Sequence, residues 1–173
     1  MEKVGERTIY SGRKISLQLL EFLRDGKRIV VEKVHHPGAV VVVPVLGDRI
    51  VYIEQYRPVI GRWIVELPAG TLDRPGESAE DAARRELEEE TGYRAGRLKY
   101  LGFLYSSPGV MDEVLYVYAA FDLERTSPRR EDYEVIRLRS APLEELVKAV
   151  KEGKINDAKT VAALFLYSLR FES

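Results

Sequence analysis

Gly70-Thr-Leu-Asp-Arg-Pro-Gly-Glu-Ser-Ala-Glu-Asp-Ala-Ala-Arg-Arg-Glu-Leu-Glu-Glu-Glu-Thr-Gly-Tyr93 is the stretch on which the reading of this chain turns. Gly70, Pro75 and Gly76 interrupt any regular element, so its first part reads as a loop. From Ser78 the pattern becomes helical. Ser78 can cap the N-terminus, with Asp81 three residues on, and Gly92 stands where a helix end takes up a left-handed conformation. Glu86, Glu89 and Glu90 are spaced i, i+3, i+4, which gathers three carboxylates on one face.

Three like charges on one arc repel, so the helix gains nothing from this placement unless a cation lies among them. Hard carboxylate oxygens suit Mg²⁺ or Mn²⁺, which keep several waters and bridge protein carboxylates to substrate phosphates. The alternative is a solvated helix whose glutamates pair with Arg84, Arg85 and Arg94. The fixed spacing, and the Gly/Pro loop that leads into it, favour the metal.

Glu77, seven residues, Arg85-Glu86-Leu87, one residue, Glu89-Glu90, one residue, Gly92-Tyr93 resembles the box of the Nudix hydrolases. That family cleaves nucleoside diphosphates linked to another group, using divalent cations held by this loop and helix. Six residues separate Gly70 from Glu77, where the family usually has five. The extra residue falls in the loop, ahead of the ligand-bearing helix, so it bears on the loop geometry more than on the metal site.

The rest of the composition reads as a folded, soluble protein. The 173 residues are enough for one well-buried domain with a small appendage. Hydrophobic residues make up 45% and charged residues 32%, which excludes a disordered chain. A net charge of −1 gives no case for a nucleic-acid or membrane surface. No apolar run approaches a spanning length, and Met-Glu-Lys-Val-Gly-Glu-Arg is not a signal pattern. There is no cysteine, so disulfide and thiolate chemistry are excluded. A cytoplasmic location is expected. Abundant Glu, Lys and Arg beside a single Asn and two Gln point weakly to a thermophile.

In chain order, residues 7–36 read as short antiparallel strands: Lys14 to Arg24, a hairpin signal at Asp25-Gly26, then Arg28 to His35. Such a unit is too small to be stable alone. Adjacent histidines, here His35 and His36, point to opposite sides of a strand, which argues against a metal role. Ala39 to Leu46 is a valine run suited to a strand buried on both faces. Arg49 to Tyr56 returns, and Trp63 to Leu67 delivers the chain to the box. Leu98 to Tyr105, Val114 to Phe121 and Val135 to Leu138 read as further strands. Pro142 to Glu152 is an amphipathic helix with Leu143, Leu146, Val147 and Val150 on one face, closed by Gly153. Asp157 caps a last helix, for which Val161, Leu164, Phe165 and Leu169 are the expected core face. The alternation predicts an α/β/α sandwich around a mixed sheet over residues 37–173, with a small antiparallel β-sheet over residues 1–36.

Finer features resemble the ADP-ribose pyrophosphatase subgroup of that family. Glu66-Leu67-Pro68-Ala69-Gly70 is similar to its lead-in, where the carbonyl of the residue before the box glycine, here Ala69, is a metal ligand beside Glu86, Glu89 and Glu90. Pro108, fifteen residues beyond Tyr93, matches its marker proline, though a turn proline would read the same. Lys151 to Ala158 resembles its C-terminal segment. The resemblance maps a substrate-contacting glutamate to Glu113, a phosphate-contacting arginine to Arg57, and a general base to Glu134 with Asp132 as fallback. Arg85 is expected to orient the glutamates. The implied activity is hydrolysis of ADP-ribose to AMP and ribose 5-phosphate by a homodimer paired through residues 1–36. The alternatives are another nucleoside diphosphate sugar, or a Nudix-fold nucleotide-binding domain without catalysis.

Overall fold

The structure, a computed structural model, describes residues 1–127 and 135–171. The chain divides into two compact units, one of residues 1–38 with 105–114, the other of residues 39–104 with 115–171.

In the first unit, β1 (Glu2–Ser11), β2 (Ser16–Arg24) and β3 (Lys27–His35) form a three-stranded antiparallel sheet in sequence order. The hairpin between β2 and β3 turns at Asp25 (φ 52°) and Gly26 (φ 73°), a left-handed pair whose twist matches that of the flanking strands. Residues 105–114 join this unit through backbone hydrogen bonds, Val34 N–H to Val110 O (2.8 Å) and Asp112 N–H to Val34 O (3.2 Å). Asp112 then accepts from Lys33 Nζ (2.7 Å), His35 Nδ1 (2.8 Å) and the His36 amide (2.9 Å). Partial burial pushes the Asp112 carboxyl up, but these donors outweigh it and hold the group well below the carboxylate range. Both histidines are therefore committed to this loop.

The second unit is a mixed sheet in which β4 (Ala39–Leu46) is central. Along its N-terminal part β4 pairs in parallel with β9 (Val114–Arg125) and antiparallel with β7 (Ala69–Thr71). At its C-terminal end it meets β5 (Arg49–Arg57), which also pairs with β6 (Arg62–Glu66) and β10 (Ile136–Pro142). The edge beyond β9 is β8 (Tyr93–Tyr105).

Strand β4 divides the core by the alternation of its side chains. Val40 and Val42 pack with Ala82, Ala83 and Leu87 of α1 (Ala79–Thr91). Val41 and Val43 pack with Leu143 and Leu146 of α2 (Leu143–Lys151) and with Ala163 and Leu164 of α3 (Ala158–Phe171). All four valines are fully buried, each contributing roughly 1.5–3 kcal/mol. This is the expected α/β/α sandwich with its small antiparallel sheet.

Helix α3 corrects one expectation. Phe165 and Leu169 are 62% and 65% exposed, and the inward face is Thr160, Ala163 and Leu164, with Tyr167 and Phe171 packed beside it. The rotation follows from the helix start. Asp157 Oδ2 accepts from the Thr160 amide (3.0 Å) and hydroxyl (2.6 Å), and Thr160 Oγ1 accepts the Leu67 N–H (2.9 Å). With Thr160 turned inward, a 3.6-residue period carries Phe165 and Leu169 outward.

Candidate active site

Helix α1 is set rigidly before it presents any chemistry. Ser78 Oγ accepts the Asp81 N–H (3.1 Å), and Gly92 (φ 70°) closes the other end with its N–H on Glu88 O (2.9 Å). Burial of Ala82, Ala83 and Leu87 then fixes the rotation of the helix. Glu90 falls at the margin of that core, 2% exposed, while Glu86 and Glu89 remain more accessible on the same arc.

Strand β7 runs against this arc. The Ala69 N–H donates to Glu90 Oε2 (3.0 Å). At Gly70 the approach is closer still, since a Cβ there would lie 1.8 Å from Glu86 Cδ. Only glycine lets the strand and the carboxylate share this space. The loop between them closes through Arg74-Pro75-Gly76-Glu77, with Glu77 N–H on Arg74 O (3.1 Å) and Gly76 at φ 80°, as a type II turn requires. The turn leaves Arg74 on Glu89 Oε1 (3.1 Å).

Arg85 lies among the carboxylates. Its Nε and Nη2 form a fork on Glu77 (2.7 and 2.8 Å), while Nη1 reaches Glu86 and Glu89 Oε2 (3.0 Å). The Glu77 bonds dominate and hold Arg85 far above its ordinary range against the opposing effect of burial. The same fork holds the Glu77 carboxyl below its usual range. Among the described residues no three acidic or imidazole groups already converge on a single ion position. The donor set, carboxylate oxygens beside backbone on a glycine-lined strand, nevertheless has the hard-oxygen chemistry that a divalent cation selects.

A second ion network lies at the end of β6. Glu66 is fully buried (0% exposed) and takes a fork from Arg57, Nε at 2.7 Å and Nη2 at 2.6 Å. Lys159 also donates to Glu66, and reaches Asp157 Oδ1 at 3.0 Å. Burial pushes Glu66 up, and the two cations more than reverse it. Losing one partner of such a buried pair costs about 3–5 kcal/mol. From sequence Glu66 stood only as the first residue of the lead-in, with no role of its own, and Lys159 and Thr160 were not singled out. The available signal was a single acid closing the apolar strand Trp63-Ile64-Val65.

The structure brings Ala69, Arg85, Glu86, Glu89 and Glu90 together, with Arg57 in the same unit and its charge within reach of Glu90. Pro108 and Glu113 belong to the first unit, where Pro108 lines a pocket with Leu20, Val31 and Met111, and Glu113 lies 3.2 Å from His36 Nδ1. Asp132 and Glu134 lie outside the described residues.

The NUDIX domain model matches residues 35–164, most of the chain and all of the helix and loop just described. The chain is a Nudix hydrolase. It is 38% identical to an ADP-ribose pyrophosphatase of Bacillus subtilis over 171 residues, covering 96% of this chain and 92% of that protein. It is 39% identical to a methanol dehydrogenase activator of Bacillus methanolicus over 160 residues, covering 90% and 86%. A crystal structure of an ADP compounds hydrolase superposes with a TM-score of 0.86 at 26% identity, covering 99% of this chain and 95% of that one. No described helix is long and apolar enough to cross a membrane.

In this Nudix hydrolase the Gly70–Glu86 approach yields a direct prediction. Gly70→Ala should displace the Glu86 carboxylate and weaken Mn²⁺ binding by roughly tenfold or more, the range seen when support around a ligand is lost. Titration calorimetry with Mn²⁺ measures this, with circular dichroism confirming an intact helix. Unchanged affinity in a folded variant would count against Glu86 as a metal ligand.

Proposed function

We propose that this Nudix hydrolase cleaves the diphosphate bridge of ADP-ribose, releasing AMP and ribose 5-phosphate, with Mg²⁺ or Mn²⁺ as the cation. The observation that carries the reading is the glycine-lined approach of β7 to the carboxylate arc of α1, which leaves an oxygen-rich surface and no obstructing side chain at Gly70. Similarity along nearly the full length to a protein named ADP-ribose pyrophosphatase supports the substrate.

Glu86, Glu89, Glu90 and the Ala69 carbonyl would hold the cation, which when bound neutralises phosphate oxygens and acidifies a water. Arg85 keeps Glu86 and Glu89 apart from each other and in place. Arg57 binds the phosphates, and the resemblance assigns Pro108 and Glu113 to substrate contact. In the chemical step a water oxygen bonds to one phosphorus as the bridging P–O bond breaks. Glu134 takes the water's proton, since a carboxylate engaged with metal is a poor base. The exposed Val4, Ile9, Tyr10, Leu23 and Val30 of the three-stranded sheet support its use as the pairing surface of a homodimer.

A product assay over a panel of nucleoside diphosphate sugars tests the reaction. ADP-ribose should give AMP and ribose 5-phosphate only with divalent cation present, and EDTA should abolish turnover. Preference for another sugar nucleotide would shift the substrate, and inertness towards all of them would favour a binding domain without catalysis.

Removing a general base lowers rate about 10²- to 10⁴-fold, so Glu134→Gln should reduce kcat by that order in single-turnover assays at saturating Mg²⁺. Asp132→Asn should cost far less. A Glu134→Gln enzyme within about threefold of wild type, well short of that range, would withdraw the assignment.

Light scattering at micromolar concentration should return twice the 19.7 kDa chain mass. A monomer would count decisively against pairing through the N-terminal sheet.

A further inference from the structure

Arg57 ends β5 and begins the tight turn to β6, with its carbonyl accepting from Ile60 (3.1 Å) and Gly61 (2.9 Å). At such a corner a long side chain would ordinarily sample many rotamers in water. Here it does not, because Nε and Nη2 are forked on a carboxylate that is itself fully buried. The arginine side chain is still 37% exposed. A planar guanidinium held along one edge has its remaining nitrogen, Nη1, placed in a fixed direction.

The partner of Glu66 on the other side is equally constrained. Lys159 donates to Glu66 and to Asp157, and Asp157 is fixed in turn by the Thr160 amide and hydroxyl. Two carboxylates, Glu66 and Asp157, are balanced by two cations, Arg57 and Lys159. Without Lys159 the group, Arg57 included, would carry a net negative charge.

We propose that Glu66 is a positioning residue for Arg57, fixing the guanidinium so that its Nη1 edge is offered to a substrate phosphate oxygen, and that Lys159 from the start of α3 keeps Glu66 in that service. This rests on the reading of Arg57 as a phosphate contact. Glutamine at position 66 has the same shape but one acceptor in place of two, so an amide N–H must face an Arg57 or Lys159 donor. The fork is lost while most of the packing stays.

A double-mutant cycle tests this on whichever nucleoside diphosphate sugar the wild-type protein hydrolyses. Loss of one charge-assisted fork should lower kcat/KM roughly tenfold in Glu66→Gln, mainly through KM. Arg57→Gln should lose at least as much, and the double variant should be within about twofold of Arg57→Gln alone, because Glu66 acts through Arg57. Lys159→Met, at a less buried position, should repeat the pattern, and Lys159→Arg should restore most of the activity. Losses that add in full overturn the proposal. Failure of both Glu66→Gln and Lys159→Met to fold, read by circular dichroism and thermal melting, would reduce the network to stability and overturn it too. Wild-type turnover separates the two levels. Activity on another sugar nucleotide alone corrects the substrate and leaves the cycle readable, whereas an inert wild type sinks the phosphate reading and this inference with it.

Discussion

Carboxylates on one helical arc repel one another, and that repulsion is the constraint to which the rest of this molecule answers. Glu86, Glu89 and Glu90 are close in sequence and cannot separate while α1 remains helical. Arg85 resolves the problem from within the helix by taking Glu86 and Glu89 on one nitrogen and anchoring its other edge on Glu77. The anchor matters as much as the charge. A cation free to move would quench the carboxylates, whereas one locked to Glu77 holds them apart at defined places. Glu90 is handled differently, by a backbone N–H from Ala69 at the edge of the core. Glu90 is thus set apart from Glu77, Glu86 and Glu89, which share Arg85, despite their identical chemistry.

Those arrangements hold only if α1 cannot roll or slide. Val40 and Val42 of β4 fix it on one side of the sheet, while Val41 and Val43 fix α2 and α3 on the other. A single strand therefore registers the acidic helix against α3, whose first turn carries Thr160 and Lys159. The consequence reaches the site through Leu67, whose N–H ends on Thr160 Oγ1, two residues before Ala69. The C-terminal helix is part of the support for the lead-in to the acidic loop, not a terminal cover for apolar surface.

Sequence reasoning recovered what is local and periodic. The caps at Ser78 and Gly92, the carboxylate arc, the double-faced valine strand and the turn at Asp25-Gly26 are each decided within a few residues, and the fold follows from their order. The inward face of α3 was not legible, because apolarity alone chose Phe165 and Leu169 while a hydroxyl on Leu67 chose the rotation. Strand β8 begins at Tyr93 and not at Leu98, since pairing continues through the polar residues that follow the helix. The Glu66 network was hidden for a similar reason. Its members are nine and ninety-three residues apart, and nothing in the spacing of Glu66 and Lys159 announces that they meet.

Arg85 and Arg57 are each forked on a carboxylate, and the difference between them indicates how the charges are divided. Arg85 is largely buried, and its hydrogen bonds all go to acids of the same loop and helix, so its charge is spent within the protein. Arg57 shares Glu66 with Lys159, which also pairs with Asp157, so the four charges balance as a set while the Arg57 side chain stays partly exposed. It also stays in the electrostatic reach of Glu90, on the acidic arc itself. A diphosphate brought to that arc is negative, as the arc is, and needs positive charge that the protein has not already consumed. Arg85 cannot supply it without releasing the glutamates. On the proposed reading Arg57 answers this need, because its side chain stays partly exposed while it and Lys159 together hold Glu66.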